Sequence, residues 1–284
     1  MNAPAPGSTA PRAARRLTGE LAALLAIWQR DMLHYRRDRL KILITLLQPV
    51  MTLTVLGAGL AALLPATPGG ADYRTFLFPG MLMMTVQAPA ISAGVALVTD
   101  RQSGFLREIV MAPVRRETVL IGRCLGGASI ATCQGALLLP LAGIAGLPYD
   151  PVALALLLGE MVVIAFMMTA LGVLLAVSIS RSESFYAVLS IITMPLIFLS
   201  GAMFPVGALP GWLFTPVLAN PVSYAVDALR RTVTAHLPGP APAALFDGPH
   251  WGGWHPPVVL ELAGIAMTGA VMLAWASRRF GHTP

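Results

Sequence analysis

Long apolar runs separated by short polar breaks dominate this chain. Windows of about 20 apolar residues are long enough to cross a hydrocarbon core of about 30 Å as helices, and six occur, at 42–64, 76–99, 124–147, 152–179, 184–204 and 258–276. Ahead of the first, residues 19–39 carry Leu21, Leu24, Leu25, Trp28, Met32 and Tyr35 at three- and four-residue steps, with Arg30, Arg36 and Arg37 mostly elsewhere. That pattern predicts an amphipathic helix in the membrane interface, serving as an anchor for the first span or as a transmitter of motion. The expected fold class is therefore an all-α membrane protein with six transmembrane helices and an N-terminal interfacial helix.

Between the second and third apolar runs lies the most informative segment, 99–123, reading TDRQSGFLREIVMAPVRRETVLIGR. Five arginines accompany Asp100, Glu108 and Glu117, while Phe105, Leu106, Ile109 and Met111 fall on one side of a short helix. Pro113 disfavours helix at Ala112 and ends the element. A helix this short is marginal alone in water, so it needs lipid headgroups or a partner protein to pack against.

The longest stretch outside the spans, 205–257, contains two helical pieces, 209–218 and 221–231. Each is too short to cross a bilayer, yet Trp212, Leu213, Phe214, Val217, Leu218 and Tyr224 make them too apolar for a solvated loop. Re-entrant or interfacial helices meet both requirements. Trp251 and Trp254 then reach the start of the last span, as an aromatic belt does. His250 and His255 beside them are candidate metal ligands, but no cysteine or carboxylate at ligand spacing completes a site, so no metal is expected.

Composition agrees with the pattern: 56% of residues are apolar and 11% charged, against about one quarter charged in soluble domains. Positive residues sort unequally. Arg12, Arg15, Arg16, Arg30, Arg36, Arg37, Arg39, Lys41, Arg101, Arg107, Arg115, Arg116, Arg123, Arg181, Arg278 and Arg279 fall on one side of a six-span arrangement, and only Arg74, Arg230 and Arg231 on the other. The positive-inside rule places both termini and segment 99–123 on the cytoplasmic side; a bacterial-type plasma (inner) membrane is the expected location. The basic excess reads as topology and contact with anionic membrane lipids; nucleic acid is not an expected partner. Residues 1–18, rich in Pro, Ala and Arg without an apolar core, read as a disordered cytoplasmic tail with no cleavable leader, and 277–284 as a second tail.

Nucleotide and hydrolytic chemistry is missing. A phosphate-binding loop needs Gly-Lys-Ser/Thr, and the only lysine is Lys41 within RLKIL. No nucleophile elbow or zinc-helix motif is present, so no catalytic residue is expected. Cys124 and Cys133, nine residues apart on one helix, lie about 13 Å apart along its axis and cannot bridge within the chain. Ionisable residues inside spans are functional candidates. Glu160 sits about two turns below the outer end of the fourth span, where a structural hydrogen bond and contact with a cationic substrate are both open. Glu261, near the outer end of the sixth, favours pairing with Arg230, Arg231 or water. Gln48, Gln87 and Gln134 either join helices or line a polar pathway. In the glycine-rich third span, Gly122 and Gly126 form a face that admits close helix approach. Prolines at 49, 79, 89, 140 and 195 invite bends.

Two motifs resemble the type-2 ABC exporter permeases, particularly the daunorubicin-type drug-resistance branch. The first is DRQSGFLREIVMAPVRR, 100–116; the second is LPGWLFTPVLANPVSYAVDALR, 209–230, with Pro210, Trp212, Asn220, Pro221, Tyr224, Asp227 and Arg230 at the matching positions. The resemblance covers nearly the whole chain and implies a six-span permease domain at 42–276. It makes 99–118 the cytoplasmic coupling segment, with Asp100, Arg101, Gly104, Phe105, Leu106, Arg107, Glu108, Ile109, Met111, Pro113, Arg115 and Arg116 received by a partner ATPase. It implies further that 19–39 is the interfacial connecting helix and that 205–257 holds external re-entrant helices. By the same resemblance two permease subunits, expected to be identical, sit over two ATPases that bind ATP and magnesium, while this chain itself holds no cofactor. Aromatic residues are sparse in the spans, unlike the wide channels of polysaccharide exporters, which leans the substrate toward an amphipathic drug or lipid. Methionines such as Met81, Met83, Met84, Met161, Met167 and Met168 supply either an adaptable surface or ordinary packing. An ion-driven transporter or channel built on Glu160, and a non-transporting scaffold for an ATPase, are the competing readings.

Overall fold

The computed structural model describes residues 12–57, 59, 73–103, 116–239 and 243–281. Helix α1, Arg12–Arg37, begins seven residues before the expected start at 19, so part of the stretch expected as a disordered tail is helical. Its last turn carries His34, Arg36 and Arg37, cations that complement the exposed carbonyls of a helix C-terminus. The chain breaks at Asp38, and α2, Arg39–Met51, sets off at a bend of 67°. Pro49 removes a backbone donor within α2, and immediately beyond it the helix widens into a π turn, Thr52–Leu56.

Four further helices build the body: α3, Tyr73–Gln102; α4, Arg116–Ala136, extended by a 3₁₀ turn at Leu139–Gly143; α5, Pro151–Ser178; and α6, Ser182–Phe198. Asp150 caps α5 by accepting from the Val152 amide at 3.0 Å, with Pro151 at the first helical position. A helical hairpin follows, α7 (Gly211–Ala219) and α8 (Pro221–Ala235), then the short α9 (Ala243–Phe246) and finally α10, Val258–Gly281. No strand occurs among the described residues; Trp251 and Trp254 form one isolated antiparallel bridge.

Six spans were expected, whereas four described helices are long and apolar enough to cross a membrane. These are Tyr73–Gln102, Glu117–Gly143, Pro151–Ser178 and Val258–Phe280, with a fifth if the bent pair Gly19–Arg37 and Ile42–Leu56 forms one span. The first expected span runs into residues outside the description. The fifth, expected over 184–204, is the 17-residue α6, about 25 Å long. Pro195 lies in its last turn and Gly201 takes φ +75°, which turns the chain before 204.

Helices α3 and α5 pack together at the centre, with α4 against both, α10 on α5, and α1 on α4. Their closest approach is at Gly94 and Gly172, where a Cβ on Gly94 would overlap the Gly172 carbonyl. Met81, Met83, Met161, Met167 and Met168 are at most 1% exposed, so these methionines fill the core. By contrast α10 is 17% buried along its apolar window and α6 fully buries only Phe185.

Candidate functional site

At the end of the bundle where α3 stops and α4 starts, four charged side chains from three helices converge. The Arg123 guanidinium donates to Asp31 Oδ1 at 2.8 Å through Nη1 and meets Asp100 Oδ2 through Nη2. Arg30 Nη2 lies 3.2 Å from Asp100 Oδ2 and 3.4 Å from Asp31 Oδ1. Arg123 is only 4% exposed at its side chain, against 42% for Arg30. A planar guanidinium offers several donors in a fixed fork and so joins two carboxylates at once. Of the expected coupling residues, Asp100 is therefore held by the permanent fold, and Arg101 lies over the Phe280 ring at 5.9 Å. Gly104 to Arg115, which include the other coupling candidates up to Arg116, lie outside the described residues; Arg116 opens α4.

The face that Gly122 and Gly126 present is occupied by α1. A Cβ on Gly122 would touch Ile27, and one on Gly126 would come within 3.0 Å of Asp31 Oδ2. The small residues thus let α1 lie close enough for Asp31 to reach Arg123. Three hydrogen bonds continue the seam: Trp28 Nε1 donates to Ser129 Oγ at 3.1 Å, Tyr35 OH to Gln134 Oε1 at 2.5 Å, and Gln134 Nε2 to Thr45 Oγ1 at 2.8 Å. Burial, with Cys133 adding to it, pushes the Tyr35 phenol up to about 12. Gln134 accordingly joins α1, α2 and α4. At the same end Gln102 ties α3 to the α5–α6 connection, donating to the Ser180 carbonyl and accepting from the Ser182 hydroxyl, and Arg279 of α10 donates to Ser178.

The opposite end holds a second cluster. Glu160, Asp227 and Glu261 are 4%, 1% and 3% exposed, with Arg230 at 1%. Thr232 Oγ1 donates to Glu160 Oε1 at 2.5 Å. Arg231 Nε stands 2.8 Å from Asp227 Oδ2, with its Nη2 3.8 Å from Glu261 Oε1. Arg231 thus stands between the Asp227 and Glu261 carboxyl groups. Arg230 donates to the Gly201 carbonyl at 2.6 Å and covers the Phe76 ring at 4.4 Å. Three carboxyl groups and two guanidinium groups are thus gathered in one buried region. Gln87 is buried elsewhere on α3 with Oε1 lacking a hydrogen-bond partner.

The model of the ABC-2 type transporter family matches residues 22–233, three quarters of the sequence, and takes in α1 to α8. The chain belongs to this family. It is a multi-pass membrane permease of an ABC transporter. Similar proteins include the ycf38 transport permease of Cyanophora paradoxa, 24% identical over 73% of this chain and 72% of that protein. Nodulation protein J of Rhizobium leguminosarum bv. trifolii is 26% identical over 75% and 81%. The daunorubicin resistance ABC transporter permease protein DrrB1 of Streptomyces coeruleorubidus is 26% identical over 76% of each.

In the permease, the expected motif residues around α7 and α8 have distinct places. Asn220 caps α8, accepting from the Val222 amide at 3.0 Å and donating to the Leu196 carbonyl at 2.8 Å. Pro221 occupies the first turn, and Pro210 precedes α7. Tyr224 donates to the Leu218 carbonyl at 2.9 Å and accepts from Trp251 Nε1 at 3.1 Å, while Trp212 is 75% exposed. Three residues were missed by the sequence reading. Asp31 and Arg123 carried no motif, since they stand 92 positions apart in the sequence. Asp247 was overlooked as well, although its Oδ1 stands 3.3 Å from His255 Nε2 and its ligand atoms group with those of His250.

Proposed function

We propose that this permease is the membrane subunit of an ATP-driven exporter that moves an amphipathic drug-like or lipid-like substrate outward, energised by a separate ABC ATPase. The observation that carries the reading is the buried Arg123, which binds Asp100 and Asp31 at the mouth of segment 104–115. Whatever pushes on that segment pushes through α3 and α4, and Arg123 delivers the force to α1 as well. In this reading both termini and the Arg123 end face the cytoplasm, two ATPases holding ATP and magnesium dock on 99–118, and α7 and α8 are external re-entrant helices. The likeness to a daunorubicin resistance permease supports a drug-like cargo. A second copy of the permease completes the pathway, and the lean burial of α6 supports that face as its seat. Conformational coupling requires that the open and closed ATPases prefer different permease states.

The test is ATP hydrolysis by the purified partner ATPase with the permease in lipid bilayers, comparing native chain with a Phe105→Ala, Glu108→Arg double variant. Binding and modulation by the native chain, lost together in the variant, is the expected result. Equal behaviour of the two removes 99–118 from coupling. An ion-driven reading draws support from the buried Glu160, Asp227 and Glu261; it demands substrate movement under an ion gradient with no ATPase present.

A further inference from the structure

The loop between α9 and α10 is built more tightly than its length requires. Trp251 and Trp254 exchange both backbone hydrogen bonds, Trp251 N to Trp254 O at 2.9 Å and Trp254 N to Trp251 O at 3.0 Å. The two residues between them, Gly252 and Gly253, take φ +58° and +89°, which only glycine adopts without strain and which the tightest two-residue hairpin turn demands. In HWGGWH the residues flanking that turn are symmetric. Pairing Trp251 with Trp254 therefore makes His250 and His255 cross-strand neighbours, and their rings stand 5.4 Å apart between centroids.

We propose that Asp247, His250 and His255 form a binding site for a divalent transition-metal ion of the Zn²⁺ class. The three residues bring ligand atoms within 4.8 Å of one another. Asp247 Oδ1 and His255 Nε2 are already 3.3 Å apart. A tetrahedral zinc ion with ligand distances of about 2.0–2.1 Å separates neighbouring ligand atoms by about 3.3–3.4 Å, so this pair fits without adjustment and His250 has only to swing inward. The Gly248 carbonyl lies 3.4 Å from His250 Nδ1, which leaves Nε2 as the free lone pair. A backbone carbonyl on the second ring nitrogen is the usual means of orienting a metal-binding histidine. Two imidazoles and one carboxylate suit zinc better than calcium or magnesium, which prefer all-oxygen shells. With the Asp247 and His255 side chains 43% and 44% exposed, the ion enters from solvent and keeps an open position for water.

The site also has a mechanical place. The His250 ring lies tilted against Phe214 of α7 with centroids 4.8 Å apart, Trp251 bonds Tyr224 of α8, and Gly248 packs directly on the Asp227 carboxylate. A bound ion therefore ties the hairpin into one unit lying over the buried cluster.

The experiment is Zn²⁺ titration of the full, tag-free permease in nanodiscs by calorimetry, with Co²⁺ absorption as a second readout of the ligand set. One ion per chain and a tetrahedral Co²⁺ spectrum are expected. His255→Ala and Asp247→Asn each lower affinity at least tenfold, while His236→Ala leaves it unchanged. Gly253→Val keeps every ligand but strains the turn, and it also weakens binding. Absence of saturable binding, or binding indifferent to His255→Ala, Asp247→Asn or Gly253→Val, overturns the proposal.

Discussion

Arg123 and Arg30 reach the same two carboxylates, which makes them a matched pair differing mainly in burial. Removing one partner from a buried ion pair costs about 3–5 kcal/mol, because the other charge is stranded. Asp31 and Asp100 retain 13% and 18% exposure, and Arg30 stays in place to compensate, so Arg123→Ala belongs at the lower end, about 3 kcal/mol. Arg30, at 42% exposure, makes pairs of the solvated kind, and Arg30→Ala costs about 0.2–1 kcal/mol. If the network is what holds α1 to α4, the loss falls on the opening of α1. Hydrogen–deuterium exchange of peptides from 19–37, measured in nanodiscs, reads that opening directly. At about 1.4 kcal/mol per tenfold, Arg123→Ala speeds exchange about a hundredfold there and Arg30→Ala less than about fivefold. Peptides from the centre of α5 stay unchanged in both. Equal effects of the two variants, or faster exchange in α5 but not α1, refute the assignment of Arg123 as the clasp.

Three further outcomes follow from packing. Gly94→Ala drives a Cβ into the Gly172 carbonyl and is expected to prevent assembly or sharply lower the unfolding temperature. Gly159→Ala, with nothing within 4 Å, is neutral or gains about 0.5–1 kcal/mol from helix propensity; similar unfolding temperatures for the two would discredit the α3–α5 contact. Asn220→Ala loses the α8 cap and costs about 1 kcal/mol, whereas Asn220→Ser keeps a capping acceptor for the first turn and gives up only the bond to Leu196, so thermal melts must rank Ser above Ala. Finally, Ile191 is 72% exposed on α6. Ile191→Cys in a Cys133→Ser background should give a disulfide-linked dimer in native membranes, and its absence there and at Met194→Cys assigns this face to lipid.

Apolar run length revealed α3, α5 and α10 because each is a continuous helix whose period needs no partner to be read. The first expected span was harder: nothing in the pattern from 39 to 64 announces the 67° bend at its start, which depends on α1 lying along α4. Similarly, Gly122 and Gly126 advertised a close contact without saying with what, since the partners, Ile27 and Asp31, each lie 95 positions earlier. Glu160 and Glu261 stood out as charges in apolar surroundings. Their grouping with Asp227 is a product of the α7–α8 hairpin folding back. Asp247 escaped notice because ligand spacing was counted along the chain, while the Gly-Gly turn sets it across the chain. That turn was visible in HWGGWH and was the one legible signal left unused.

One helix connects the two clusters. Helix α3 runs from Phe76, under Arg230, to Asp100, beside Arg123, and its tightest contact with α5 is at Gly94. If α3 rocks on α5, the close backbone contact at Gly94 is where the pivot falls. From there the arm to Gln102 is about 12 Å and the arm to Tyr73 about 31 Å at 1.5 Å per residue. A displacement of about 1 Å at Gln102 would become about 2.6 Å at Tyr73 if the helix moved as one body. That is enough to lift Phe76 off the Arg230 guanidinium or press it further in, and Arg230 belongs to the same helix as Asp227. Under the proposed coupling, a push from segment 104–115 would travel along α3 toward the buried carboxyl cluster, with Pro79 and Pro89, between Gly94 and Phe76, as the points where the helix can yield.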